Sequence, residues 1–219
     1  MKSKPFTPRN ARLGYLLEAA GDWWTAPTLE RIESWSSAVY GDAIKRLWSE
    51  TLGAPPDCVS ELFEGIREDS VRTISEYERL FVGPAAPRCP PYQAAWPDGQ
   101  RGQAQAVRCA QPVDEVTQIY GTLGFRLSSV RRELGDHIAV ELEGAACAFA
   151  MDATPEAGRL VEHLRRWAPR LCLAVKSQSS LRFFRALAEI TEEMLNRVDA
   201  ARSATTTTRR EASTVVSWH

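Results

Sequence analysis

Residues 77–96 read YERLFVGPAAPRCPPYQAAW, and the way this stretch is punctuated decides the fold. Tyr77, Leu80 and Phe81 fall at helical spacing, one, four and five positions along a common face. Gly83-Pro84 then ends the helix, since glycine takes the turn and proline removes the next backbone donor. Pro87, Pro90 and Pro91 follow, and the stretch closes on Tyr92 and Trp96. Between Gly83 and Gln111 five prolines and three glycines interrupt every period. Residues 83–111 therefore read as one long Pro-rich loop between two runs of helix.

Upstream, Leu29, Ile32, Trp35, Val39, Ala43, Leu47 and Trp48 recur at helical spacing. That pattern predicts one long amphipathic helix from Pro27 to Leu52. Pro27 suits its first turn, and Gly53 with Pro55-Pro56 stops it. A shorter helix is predicted from Asp57 to about Arg67, burying Val59, Leu62, Phe63 and Ile66. Another runs from Ser70 to Phe81, with Val71, Ile74, Tyr77 and Phe81 on one face. Trp23 and Trp24 are neighbours that cannot be buried the same way, which places them at a helix end.

Downstream, helices are predicted over Val113–Gly124, Asp136–Met151, Pro155–Ala174 and Ser179–Ala201. Asp136 stands where an N-cap carboxylate would accept a backbone hydrogen bond, and Ser179 has the same role for the last helix. The tail ARSATTTTRREASTVVSWH is polar and threonine-rich, and is read as disordered. No strand pair and no internal repeat stands out. The expectation is an all-α bundle forming a single domain over residues 1–201. Its helix groups, at about 10–82 and 112–201, are joined by the loop 83–111, and a tail covers 202–219.

The 219 residues are 44% hydrophobic and 25% charged, enough apolar side chain for a real core. A net charge of -1 speaks against binding nucleic acid through overall charge. Five scattered cysteines without a CxxC pair fit a reducing compartment. The N-terminus has no signal-peptide pattern, and no segment nears the roughly 18 apolar residues of a membrane span. A cytoplasmic protein is expected, without stable membrane insertion.

Chemistry-bearing motifs are sparse. The three histidines are His137, His163 and His219. There is no GxSxG elbow, no HExxH, no paired-cysteine metal site and no phosphate loop. Asp136-His137 is the one adjacent acid–imidazole pair, but helix neighbours point in different directions. A hydrolase using Asp136 and His137 is thus the weaker alternative; no catalytic residue, metal or cofactor is assigned. Cys89-Pro90 matches a haem-regulatory dipeptide but reads more simply as a free thiol in a loop. Glu141 and Glu143 cannot face one way and are read as solvating a helix face. Arg165-Arg166 reads as exposed charge. That leaves the aromatic and proline residues of the opening stretch. They provide rigid apolar area at small entropic cost, as a peptide-binding surface would. Alternatively the loop folds back and buries Tyr92 and Trp96.

Tyr77–Trp96 resembles the aromatic-x-x-Leu-Phe-x-Gly-Pro…Pro-Pro-aromatic…aromatic segment of the TorD/DmsD (NarJ-like) redox enzyme maturation chaperones. A second block, GDHIAVELEGAACAF at 135–149, resembles that family's Asp-His-Ile helix start followed by glutamate. SLRFFRALAEITEEML at 180–195 is similar to its last helix. The likeness is specific from about Ser70 to Met151. It implies an all-helical, non-enzymatic cytoplasmic chaperone. Its partner would be the apo catalytic subunit of a molybdopterin oxidoreductase of the DMSO-reductase type, held until cofactor insertion and export. The twin-arginine signal peptide of that subunit would be recognised too.

Carried onto this chain, the peptide-contact positions are Tyr77, Leu80, Phe81, Pro91, Tyr92, Trp96, Asp136 and His137. Glu141, with Asp136, Glu76 and Glu78, is a candidate carboxylate for the signal's arginines. Gly83 and Pro84 would shape the turn into the loop. Gln93, Ala94 and Ala95 replace the family's acidic or serine residues, and Gly135 replaces a proline; both changes bear on peptide specificity. A monomer or a domain-swapped dimer is expected, the loop acting as hinge. A helical scaffold or regulator of some other partner is the remaining alternative.

Overall fold

The computed structural model describes residues 8–68, 70–83, 86–96, 114–126 and 135–215. Among them are nine α-helices: α1 (Pro8–Trp23), α2 (Leu29–Ser36), α3 (Ala38–Leu52), α4 (Asp57–Glu68), α5 (Ser70–Tyr77), α6 (Asp114–Leu123), α7 (Ile138–Ala150), α8 (Thr154–Gln178) and α9 (Arg182–Val215). The all-α expectation is met. The one extended pairing among the described residues is an isolated antiparallel bridge between Tyr92 and His137.

The two helix groups pack into each other. α1 lies along α7, α4 along α9, and α8 contacts both α7 and α9. Small residues set the α1–α7 seam. A Cβ on Gly14 would come within 2.9 Å of the Ala146 carbonyl oxygen, and one on Gly21 within 3.1 Å of that of Ala139. The low-numbered end of α1 thus faces the high-numbered end of α7, so the pair is antiparallel. Ion pairs from Lys176 to Glu192 and from Arg165 to Asp199 show that α8 and α9 run antiparallel as well.

The predicted helix from Pro27 to Leu52 is two helices. The chain breaks at Ser37, where ψ is 131° and the N–H bonds back to the Ser34 carbonyl. Thr28 caps α2 by accepting from the Arg31 N–H. The break frees the Ser36 carbonyl, which takes a 2.9 Å hydrogen bond from Arg67 Nε. Two axes cannot share one stripe, so Leu29, Val39 and Ala43 are exposed while Ile32, Trp35, Ile44 and Trp48 are buried.

α5 ends in a π-helical turn, Glu78–Val82, closed by a 2.7 Å bond from the Gly83 N–H to the Glu78 carbonyl. Gly83 has φ 63°, and a Cβ there would meet the Ala86 carbonyl oxygen at 2.7 Å, so glycine is required. Val71, expected on the buried face, is exposed, because this helix meets the core only from Thr73 onward. The backbone of α9 continues to Val215, beyond the predicted end at Ala201. Extending a nucleated helix adds one hydrogen bond per residue without needing a packed face.

Both Trp23 and Trp24 are buried, in different directions, at the end of α1. Trp23 meets Phe63 edge-on at 5.9 Å, while Trp24 meets Phe81 at 5.6 Å. Trp24 Nε1 donates a 2.9 Å hydrogen bond to Thr191 Oγ1 on α9. Trp24→Phe keeps most of the packing and deletes this bond. It should cost about 1 kcal/mol in urea unfolding; no change would mean the bond has no net value.

Candidate functional site

The described part of the Pro-rich segment, residues 86–96, is a strap tied to the start of α7. The Cys89 N–H donates to the Leu80 carbonyl at 2.8 Å. The Ile138 N–H donates to the Pro91 carbonyl and the Gln93 N–H to the Asp136 carbonyl, each at 2.9 Å. Asp136 Oδ2 accepts from the Ala94 N–H at 3.2 Å. Trp96 Nε1 donates to the Pro90 carbonyl at 2.7 Å, closing the strap on itself. Arg170 of α8 donates to the Trp96 carbonyl at 3.3 Å.

Asp136 does not cap α7; His137, one residue later, does. His137 Nδ1 accepts from the Ala139 N–H at 3.1 Å. Its ring meets Tyr92 edge-on, with centroids 5.0 Å apart. The shift follows from the strap, whose Ala94 N–H occupies the aspartate. Burial pushes the Asp136 carboxyl up, and the Ala94 N–H pulls part of that back. In an acid–imidazole dyad the ring nitrogen would donate to the carboxylate. Here Nδ1 accepts from backbone instead, so Asp136 and His137 each serve the strap-to-helix junction.

The structure therefore gathers Pro91, Tyr92, Trp96, Asp136 and His137 into one place. Tyr92 and Trp96 are half-buried; Pro91, Asp136 and His137 are buried. Tyr77, Leu80 and Phe81 lie elsewhere, inside an aromatic cluster. Phe81 touches Tyr77, Trp24 and Phe184 at 5.0, 5.6 and 5.7 Å, and Leu80 has no exposed area. Gly83 makes the turn; Pro84 lies outside the described residues.

Glu76, a candidate for an arginine of the signal, already holds one of the chain's own. Arg79 forms a two-pronged pair with it at 2.6 and 2.7 Å. That guanidinium, above all, keeps the Glu76 carboxyl below its ordinary range. Ser179, expected to cap α9, donates to Glu76 at 2.8 Å and accepts from the Leu181 N–H at 3.1 Å.

Glu141 does not solvate a helix face: it has no exposed area. Its Oε2 lies 3.4 Å from Trp167 Nε1 and 3.7 Å from His163 Nε2, and its Oε1 has no hydrogen-bond partner. Burial pushes this carboxyl well above its ordinary value; the Trp167 bond opposes that only in part. His163, also buried, reaches Glu115 through Nδ1 at 3.4 Å. Arg166 pairs with Glu115 at 2.6 Å, so it is not simply exposed charge. Nothing in the sequence ties His163 to Glu141; the packing of α8 on α7 brings them together.

A separate cleft lies between α1, α3 and the first half of α7. Tyr15, Glu18, Ala19 and Asp22 line it from α1. Their spacing was the available signal, since positions 15, 18, 19 and 22 share one helix face. Among the described residues no group of His, Cys, Asp or Glu is arranged to hold a metal ion. No described helix is long and apolar enough to cross a membrane.

The family model for the nitrate reductase delta subunit matches residues 57–173, from the start of α4 into α8. No curated protein matches the sequence. A crystal structure from Archaeoglobus fulgidus, described as a candidate redox enzyme maturation protein, has 20% identity and a TM-score of 0.50. It covers 90% of this chain and 98% of its own. At that identity the likeness is one of fold.

Proposed function

Since the chain belongs to the nitrate reductase delta subunit family, whose maturation chaperones are non-catalytic, we propose the following role. In the cytoplasm it holds the apo catalytic subunit of a molybdopterin oxidoreductase of the DMSO-reductase type until the cofactor is inserted. The twin-arginine signal peptide of that subunit is part of what it binds. The observation that supports this reading is the strap, which lies within the family-matched span. It presents Tyr92 and Trp96 half-exposed on a backbone fixed by prolines and by bonds to α7.

Of the residues that the resemblance implies, these two are the ones able to touch a client without opening the core. The buried Pro91, Asp136 and His137 hold them in position. Covering a few hundred Å² of apolar surface is worth roughly 5–10 kcal/mol before ordering costs. A dissociation constant on the order of micromolar follows, weak enough for the client to be released.

The test is capture from the native cells under molybdenum limitation, with Tyr92→Ala/Trp96→Ala beside the wild type. The wild type is expected to retain a large molybdopterin oxidoreductase subunit. The double variant should retain about tenfold less, equivalent to about 1.4 kcal/mol, with helicity unchanged by circular dichroism. If no such subunit is retained while one is being expressed, the reading is wrong. If helicity is lost, the two rings belong to the core rather than to a binding surface.

A further inference from the structure

Two arginines that the resemblance does not carry over meet at Gln178, in the last turn of α8. Arg79 Nη2 donates to the Gln178 carbonyl at 2.7 Å, and Arg88 Nη1 reaches Gln178 Oε1 at 3.4 Å. Carbonyls at a helix C-terminus lack intrahelical partners, and cations are favoured there. Arg88 lies at the start of the strap, and Arg79 belongs to the π-helical turn that ends α5. A single π turn is a rare geometry, often found at functional sites. Glu76, which takes the other bonds of Arg79, also accepts from Ser179, so the turn is clamped to the connection between α8 and α9. The strap is joined to this turn by backbone: the Cys89 N–H donates at 2.8 Å to the carbonyl of Leu80, next to Arg79. An α-helix would offer that carbonyl the N–H four positions on, but residue 84 is proline and has none. At the far end of the strap, the Trp96 carbonyl accepts from Arg170, about two turns or roughly 12 Å back along α8.

We propose that Arg79 is a positioning residue for client binding. It clamps the π turn to the end of α8, and the turn presents the Leu80 carbonyl. That carbonyl fixes where the strap begins, and so where Tyr92 and Trp96 stand. Arg79 acts through the strap and not by touching the client. This role rests on the chaperone reading for its client. The strap's own placement can be measured without one, because Cys89 reports it. That side chain has no exposed area, and burial pushes its thiol up to about 11, so it should resist alkylation while the strap is seated. Cys58 and Cys172 are buried too, whereas Cys147 is exposed. The four thiols therefore separate a released strap from an opened core.

The test uses the full chain carrying Arg79→Met/Glu76→Gln. This pair removes the guanidinium without stranding a carboxylate, and the glutamine can still accept from Ser179. Iodoacetamide labelling near neutral pH is followed at each cysteine by peptide mass spectrometry. Cys89 should label about tenfold faster than in the wild type, with Cys58 and Cys172 still protected. The charge of Arg79 favours the Cys89 thiolate, so its loss alone would slow labelling, and a faster rate reports exposure. An unchanged Cys89 rate overturns the proposal. Should all three buried thiols speed up, Arg79→Lys, which keeps the charge, takes the variant's place and must expose Cys89 alone. Capture of the oxidoreductase subunit completes the test. The variant should retain about fivefold less, and adding Tyr92→Ala/Trp96→Ala should cost little more, since both changes disable the same strap. Losses that multiply would mean that Arg79 acts independently of the strap, and the proposal fails. If the wild type captures no subunit, the chaperone reading fails, and the Cys89 rates still decide whether Arg79 sets the strap.

Discussion

Gly65→Ala is expected to cost roughly 3–5 kcal/mol, among the largest effects a single methyl group can have. A Cβ at this position would lie 2.4 Å from Phe183 N, 2.9 Å from its Cα and 3.0 Å from Arg182 C. All three are backbone atoms at the start of α9, and none can rotate away. Either α4 and α9 separate or the first turn of α9 unwinds. Both moves disturb Phe183, stacked on Trp35 at 6.1 Å, and Phe184, packed on Phe81 at 5.7 Å. On an open helix the same change would stabilise by about 1 kcal/mol, since alanine is the better helix former.

Gly121 in α6 supplies that control. It is exposed, and among the described residues nothing beyond its own helix lies within 4 Å of a Cβ built there. Thermal unfolding of Gly65→Ala should show a midpoint lower by roughly 6–20 °C, and that of Gly121→Ala a small rise. Equal shifts in the two variants would mean that α4 and α9 do not pack this closely in solution.

Glu141→Gln should act in the opposite sense and depend on pH. The Glu141 carboxyl is fully buried and its folded-state pKa is raised, chiefly by burial. Below about pH 4.3, the unfolded value, both states hold the proton and the residue adds no pH slope. As pH rises past that point, the unfolded chain releases the proton while the fold retains it. Stability therefore falls until the pH passes the folded value, and then levels off. Glutamine cannot ionise, and its amide can still accept from Trp167. Glu141→Gln should match the wild type near pH 4 and exceed it by about 2 kcal/mol near neutrality, roughly 4–8 °C in the melting midpoint. Melting curves across this range decide it. A variant destabilised near neutrality, with the loss shrinking toward pH 4, would mean that the carboxylate is ionised and paired with His163.

Local structure was largely legible in the sequence; direction was less so. Leu62, Phe63 and Ile66 announce the buried face of α4, and Gly83 the turn that follows α5, because both depend on near neighbours. The break at Ser37 was not legible: Ser36-Ser37 is tolerated inside a helix, and Arg67, 31 positions on, completes the break by taking the Ser36 carbonyl. Asp136 carries every local mark of an N-cap. It lost that role to His137 because the strap arrives from another part of the chain with its own donor.

The candidate site was legible in part for the same reason. Pro91, Tyr92, Trp96, Asp136 and His137 do meet, whereas Tyr77, Leu80 and Phe81 share their motif but turn inward toward α1 and α9. Glu141 reads as an exposed helical glutamate until α8 is laid across it. Helical period says which residues share a face; it does not say which face another helix will cover.

The interleaving of the two helix groups also sets a timetable for synthesis. Asn10 of α1 donates to Asp152, 142 positions later, and Trp24 meets Thr191, 167 positions later. At about 5–20 residues per second, the first helix is made roughly 6–25 seconds before its partner exists. Until then Leu13, Leu16, Leu17 and Ala20 lack the α7 face that packs on them, and α4 waits about as long for α9. Stable structure can begin only when α7 emerges, and it is finished by α9. A helper for other proteins' assembly is, during its own synthesis, among the chains most exposed to premature association, and a message cut short before α9 would yield no stable partial domain.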